Sequence, residues 1–169
     1  MKTPLTFLLA LTFLFLFSGS VFGQEEVKKK YWDNGKLKSE VPYKNGKKEG
    51  LATFWYPTGE KLEEVYFKNG KEEGLSTGWH ESGQKSLETY FKNGFLEGRR
   101  TYWNEIGKKM WESHWKNGEK KGLETGWYIN GKKKYTTHFQ NGKENGVRTE
   151  WDEDGKKTFQ GNFVDGNEE

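Results

Sequence analysis

There is no cysteine among the 169 residues of this sequence. That excludes disulfides, thiolate metal ligands, a thiol nucleophile and lipid attachment through cysteine. Stability must therefore come from packing alone. Arginine is scarce too: Arg99, Arg100 and Arg148 are the only three among 28 basic residues. Bidentate reading of phosphates favours arginine, and the formal net charge is only +3. Neither feature points to nucleic acid or to an acidic membrane surface. Leu, Ile and Val are sparse after residue 23, so Trp, Tyr and Phe, 17% of the chain, must supply the buried area. Helical periodicity is missing from that part. So are the signatures of catalysis: no nucleophile elbow, no phosphate loop and no metal-ligand spacing.

One long apolar run is present. Lys2 supplies a positive start, Leu5 to Phe17 is mostly apolar, and Ser18 to Gly23 is a small-residue stretch. That layout is a secretory signal peptide, with Val21 and Gly23 fitting the small-residue rule and cleavage placed after Gly23. An uncleaved anchor is the alternative. A spanning helix needs about 20 apolar residues, and the run lengthens toward that only by counting Ser18, Gly19 and Ser20. The expectation is a helical leader over 1–23 and export to the periplasm, the cell surface or the medium. Loss of Lys2 lowers the net charge by one.

The remainder repeats every 24 residues. Gly46, Gly70, Gly94, Gly118, Gly142 and Gly166 form one series. Gly35, Gly59, Gly83, Gly107, Gly131 and Gly155 form a second, and Gly50, Gly74, Gly98, Gly122 and Gly146 a third. Trp55, Trp79, Trp103, Trp127 and Trp151 keep the same register, as do Thr53 and its copies. A further aromatic column runs Tyr43, Phe67, Phe91, Trp115, Phe139 and Phe163.

Within one unit, Leu51 to Tyr56 and Lys61 to Phe67 read as strands. Pro57-Thr58-Gly59 and Lys68-Asn69-Gly70 read as turns, the first a three-residue loop with Gly in the left-handed position. That loop places Trp55 opposite Lys61, Thr53 opposite Glu63 and Leu51 opposite Val65. One face then carries Leu51, Thr53, Trp55, Glu63, Val65 and Phe67, and the other Ala52, Phe54, Tyr56, Leu62, Glu64 and Tyr66. Six hairpins joined by short links predict one extended, twisted antiparallel sheet of about twelve strands, roughly 50–55 Å long at about 4.8 Å per strand. The array is expected over 31–166, with loose ends at 24–30 and 167–169. A lone hairpin is marginal in water, so stability should grow with repeat number.

The run Tyr-Lys-Asn-Gly-Lys-Lys-Glu-Gly-Leu (43–51), followed by Trp-Tyr-Pro-Thr-Gly-Glu-Lys-Leu (55–62), resembles the MORN repeat. It looks most like the variant found in the YwqK-type antitoxin family. The pattern Asn-Gly-Lys-x-x-Gly recurs at 69–74 and 141–146, with close variants at 93–98 and 117–122. The resemblance covers about residues 31 to 166. It implies a β-hairpin scaffold or interaction module, and the antitoxin resemblance implies neutralising a partner protein.

No constellation points to a reaction or a cofactor, and the chain is read as not an enzyme. His114 and His138 share a column but stand about 10 Å apart by strand spacing, too far for one zinc ion. Asp152-Glu153-Asp154-Gly155 lacks calcium-loop spacing. Glu40, Glu64, Glu88 and Glu112 form one acidic column, and Glu49, Glu73 and Glu97 another. A glycosidase needs two carboxyls in unlike environments, whereas these repeat one environment and should have cross-strand Lys partners. Trp55, Trp79, Trp103, Trp127 and Trp151 with Phe67, Phe91, Trp115, Phe139 and Phe163 read as the structural aromatic ladder. The facing Trp–Lys pairs gain a cation–π contribution of about 0.5–1 kcal/mol each. Specificity is placed in Phe54, Tyr56, Tyr66, Tyr90, Tyr102, His114, Tyr128 and His138. The expected partner is another protein, with a glycan or membrane surface gripped by the Trp/Lys ladder, or a toxin, as alternatives; nucleic acid is not expected.

Overall fold

The computed structural model describes residues 24–169. The expected leader, 1–23, lies outside the described residues. Every regular element among them is a strand: β1 (Glu25–Tyr31), β2 (Leu37–Lys44), β3 (Lys47–Lys48), β4 (Gly50–Trp55), β5 (Lys61–Lys68), β6 (Lys71–Glu72), β7 (Gly74–Trp79), β8 (Lys85–Lys92), β9 (Phe95–Trp103), β10 (Lys109–Lys116), β11 (Glu119–Lys120), β12 (Gly122–Trp127), β13 (Lys133–Gln140), β14 (Lys143–Glu144), β15 (Gly146–Trp151), β16 (Lys157–Val164) and β17 (Asn167–Glu168). Together they form one antiparallel sheet of 17 strands. Twelve are the long strands expected from the repeat, and five are two-residue segments that follow a tight turn. Pairing runs between near neighbours along the chain, with β2, for example, set between β1 and β4.

Two turns per repeat close the hairpins. Asn69 and Gly70 both take positive φ, 51° and 82°, which defines the type I′ turn whose twist matches the strands it joins. Asn and Gly are the residues that accept this conformation at least cost. At the other end Gly59 has φ of 97°. Its N–H donates to Tyr56 O, and the Tyr56 N–H donates to Glu60 O, both at 2.9 Å. This is the three-residue loop expected from the sequence.

The register departs from expectation one step beyond that loop. Trp55 faces Lys61 as predicted, but Phe54 then faces Glu63, Thr53 faces Glu64, Ala52 faces Val65 and Leu51 faces Tyr66. Leu62 is an extra residue, a β-bulge. Lys38, Ser86, Met110, Lys134 and Thr158 occupy the same place in the other hairpins. One inserted residue exchanges the faces of everything beyond it. Ala52 and Phe54 therefore share a face with Val65 and Phe67, here called the Phe face. Leu51, Thr53 and Trp55 share the opposite one with Glu64 and Tyr66, here called the Trp face. The two aromatic columns expected side by side lie back to back.

Burial in a single layer comes from small residues roofed by larger neighbours. On the Phe face Val41, Ala52, Val65 and Phe67 form a buried cluster, with Tyr43 and Phe54 packed against it. Further along, the same rows hold Ser76, Thr89, Ser113, Glu124 and Thr137, all buried, and the Trp face buries Thr101, Thr125 and Thr149. Two extra residues widen each link between hairpins: Lys48 faces Tyr43, yet Thr53 faces Glu40. Both ends are ordered into the sheet, contrary to expectation. Glu25 faces Lys44 at the start of a fully paired β1, and Asn167 and Glu168 face Val164 and Phe163. Backbone pairing holds these exposed segments where side-chain burial does not.

Candidate interaction surfaces

The Trp face carries a stitched ladder. Each Trp faces its own hairpin's Lys, but the cation covers the next ring: Lys61 lies 5.0 Å from the Trp79 ring, Lys85 5.6 Å from Trp103 and Lys109 5.4 Å from Trp127. The same cations meet Glu64, Glu88 and Glu112 at 2.6, 2.5 and 2.8 Å. These partners sit on the lysines' own strand rather than across it. Cross-strand pairs do occur at Lys29–Glu40, 2.8 Å, and Lys116–Glu97, 2.6 Å. Burial opposes ionisation of Glu112, yet the hydrogen bond and charge of Lys109, helped by Arg99, hold its carboxyl below the usual range. Trp, Lys and Glu thus satisfy one another along the array, and the half-buried rings act as packing between hairpins.

Turn residues staple four of the described hairpins to the next, Asn104 of the fourth bonding within its own hairpin instead. Tyr56 donates its hydroxyl to Trp79 O at 2.9 Å, and Tyr128 donates to Trp151 O at 2.8 Å. Trp32 and His80 occupy the same column and reach Trp55 O and Trp103 O. At the opposite end, Glu49, Glu73 and Glu97 accept the N–H of Asn69, Asn93 and Asn117, the first residues of the following Asn-Gly turns. The Asn117 N–H, with Lys116, holds the Glu97 carboxyl below its ordinary range. Asp152 is likewise spent within its turn, accepting the N–H groups of Asp154 and Lys156.

The eight residues expected to carry specificity therefore divide. Phe54 packs on the buried cluster. Tyr102 stacks on Trp111, ring centroids 5.9 Å apart, also on the Phe face. Tyr56 and Tyr128 are the staples. Only Tyr66, Tyr90, His114 and His138 stand together, exposed, in one column of the Trp face. Their cross-strand partners are Leu51, Leu75, Arg99 and Leu123. Leu51 and Tyr66 are 51% and 45% exposed, Leu75 and Tyr90 49% and 51%. This row of open apolar pairs, with Arg99 and His114 at its middle, crosses the array.

A cleft on the Phe face was not foreseen. It is an opening of about 340 Å³ between the fourth and fifth hairpins, lined by Arg100, Trp111, Ser113, Trp115, Lys120, Glu124 and Tyr135. The Tyr135 ring lies on Gly126, where a Cβ would sit 2.2 Å from the ring. Its hydroxyl donates to Glu124 at 3.0 Å, and Lys120 meets the same carboxylate at 2.6 Å. Burial first, then the Glu124 charge, pushes the Tyr135 phenol up to about 12. The signal in the sequence was the column Ala52, Ser76, Arg100, Glu124, Arg148, which changes size and charge beside the unbroken Thr53 column. Among the described residues there is no group of three or more His, Cys, Asp or Glu placed to share a metal ion.

An open sheet of tandem antiparallel hairpins, with a type I′ and a Gly-closed three-residue turn in each unit, defines a hairpin-repeat scaffold. The chain belongs to the MORN repeat variant family, whose model matches residues 27–45, 48–69, 72–93 and 144–165. That family is a non-enzymatic repeat family associated with binding to proteins or membranes. The hairpins β9–β10 and β12–β13 fold as the others do but lie outside the matched stretches. No curated protein matches the chain in sequence. Among solved structures it is similar to one titled "Crystal structure of GtfA/B complex", at 13% identity and a TM-score of 0.29. That likeness covers 60% of this chain and 18% of that one.

Proposed function

We propose that this chain is exported and serves as a non-enzymatic scaffold that binds another protein at the cell envelope. Its docking surface is the exposed row of the Trp face that includes Leu51, Tyr66, Leu75, Tyr90, His114, Leu123 and His138. The observation that carries the reading is this row of open Leu–Tyr pairs, adjacent in one column, on a sheet whose Trp ladder and Tyr56-type side chains are packed or stapled. Contiguous exposed apolar side chains mark interaction sites, and tyrosine supplies contact area with a polar handle. The matching partner presents apolar side chains to both ends of the row and a carboxylate to Arg99 and His114. Export rests on Lys2, the apolar run from Leu5 to Phe17 and the small residues up to Gly23. An immunity-type version, in which the partner is a toxin, rests on the resemblance of the 43–62 unit to the antitoxin variant. The glycan-gripping version is weakened because lysines already cover three of the Trp rings.

The test is capture from envelope extract by the mature protein and by a folded Leu75→Ser/Tyr90→Ser variant. A partner held by the first and lost by the second is expected. Equal capture by both, or no partner for the folded mature protein, would contradict the proposal.

A further inference from the structure

We infer that the cleft on the Phe face is a subsite for one acidic sugar residue, a uronate, carried on a glycan. Arg100 is the first reason. Its guanidinium lies over the Trp111 ring at 5.5 Å, and its Nε is buried without a hydrogen-bond partner among the described residues. A buried donor left unmatched costs free energy, and a carboxylate is the acceptor that suits it best. Charge is the second. Two cations, Arg100 and Lys120, and one acid, Glu124, line the cleft. Glu124 is already met by Lys120 and the Tyr135 hydroxyl, so one positive charge is in surplus.

Shape and polarity select the body that bears the carboxylate. Trp111, Trp115 and Tyr135 offer flat apolar walls, while Ser113 forms a buried polar floor that accepts the Trp115 indole N–H at 2.8 Å. A pyranose lays its C–H face on aromatic rings and sends hydroxyls outward as donors and acceptors. Glu124 can take a hydroxyl donor, which a Glu or Asp side chain does not offer. The volume, about 340 Å³, lies near the low end of ligand pockets, enough for one ring rather than a chain.

The third reason is where the departures fall. Every lining residue comes from the fourth hairpin, the fifth or the link between them, the stretch that the family model passes over. Where the first repeats have Ala52, Glu63 and Phe67, these have Arg100, Trp111 and Trp115. The fold survives the exchanges, and the exchanges converge on one cavity.

Trp111 and Trp115 make fluorescence titration of the purified protein a direct test. The probes are trigalacturonate, its neutral galactose counterpart and a Glu-rich hexapeptide. Saturable binding of trigalacturonate is expected, with the neutral trisaccharide and the peptide each weaker by about tenfold or more, the loss expected for one charge-assisted hydrogen bond. Arg100→Ala, which places alanine as at Ala52, should lose about the same factor. If that variant does not fold, Trp111→Leu, which repeats Leu87 of the same column, decides, and it should also weaken binding. Equal binding of the neutral sugar, undiminished binding by the deciding variant, or no binding of trigalacturonate would overturn the inference. Preference for the peptide would do so as well, in favour of an acidic polypeptide segment.

Discussion

Gly126 has no side chain because the ring of Tyr135 occupies that space. An added methyl would lie 2.2 Å from Tyr135 Cε1, so the ring must move and lose its contact with Glu124. Gly126→Ala should therefore destabilise the protein by about 1–3 kcal/mol, as overpacking does, measured by urea denaturation. Glu112 makes a different prediction. Its folded-state pKa is depressed by Lys109 against the opposing effect of burial. Such a carboxylate adds stability above its unfolded pKa, and that stability is lost as pH falls through the lower folded value. The melting-temperature advantage of the wild type over Glu112→Gln should be present at neutral pH and fade on acidification. An advantage that grows in acid would contradict the pairing. The cleft around Arg100 was the least legible feature at this scale. Arg100, Trp111 and Glu124 each look like drift within a column until the sheet brings them together.

The hairpins were read most fully from sequence where local chemistry dictates geometry. Asn-Gly and the Gly-closed loop announce their turns, and Trp55 opposite Lys61 followed from them. Asn93 at φ of 53° illustrates the dependence: Asn93→Ala should cost about 1 kcal/mol, the order of a left-handed alanine, while Asn93→Gly is tolerated. Parallel thermal melts check both. What the sequence did not disclose is the bulge at Leu62. An extra residue inside a strand leaves no compositional mark, and its column, Lys38, Leu62, Ser86, Met110, Lys134 and Thr158, has no common chemistry. The slip moved Phe54 and Tyr102 from the proposed open surface to the packed side. Tyr66, Tyr90, His114 and His138, on the return strands beyond the bulge, stay exposed, and the slip brings Leu51 and its copies onto their face.

Among the described residues, each hairpin is paired to its neighbours by backbone, and Tyr56-type and Glu49-type contacts add side-chain ties in several of the repeats. The array should behave as a one-dimensional stack. Deleting residues 75–98, one period, should leave a cooperative but less stable fold. Deleting 75–86, half a period, should abolish the transition, because it joins strands in the wrong direction. Circular dichroism melts distinguish the two, and equal effects would contradict the stack. The most direct measurement of the docking surface is photocrosslinking in producing cells. A photoreactive residue is placed singly at Leu75 or Tyr90 on the Trp face, or at Leu87 on the Phe face. Adducts with one protein from Leu75 and Tyr90, and none from Leu87, are the predicted result. No adduct from the row, or equal adducts from both faces, would contradict the assignment of that row as the surface this protein presents.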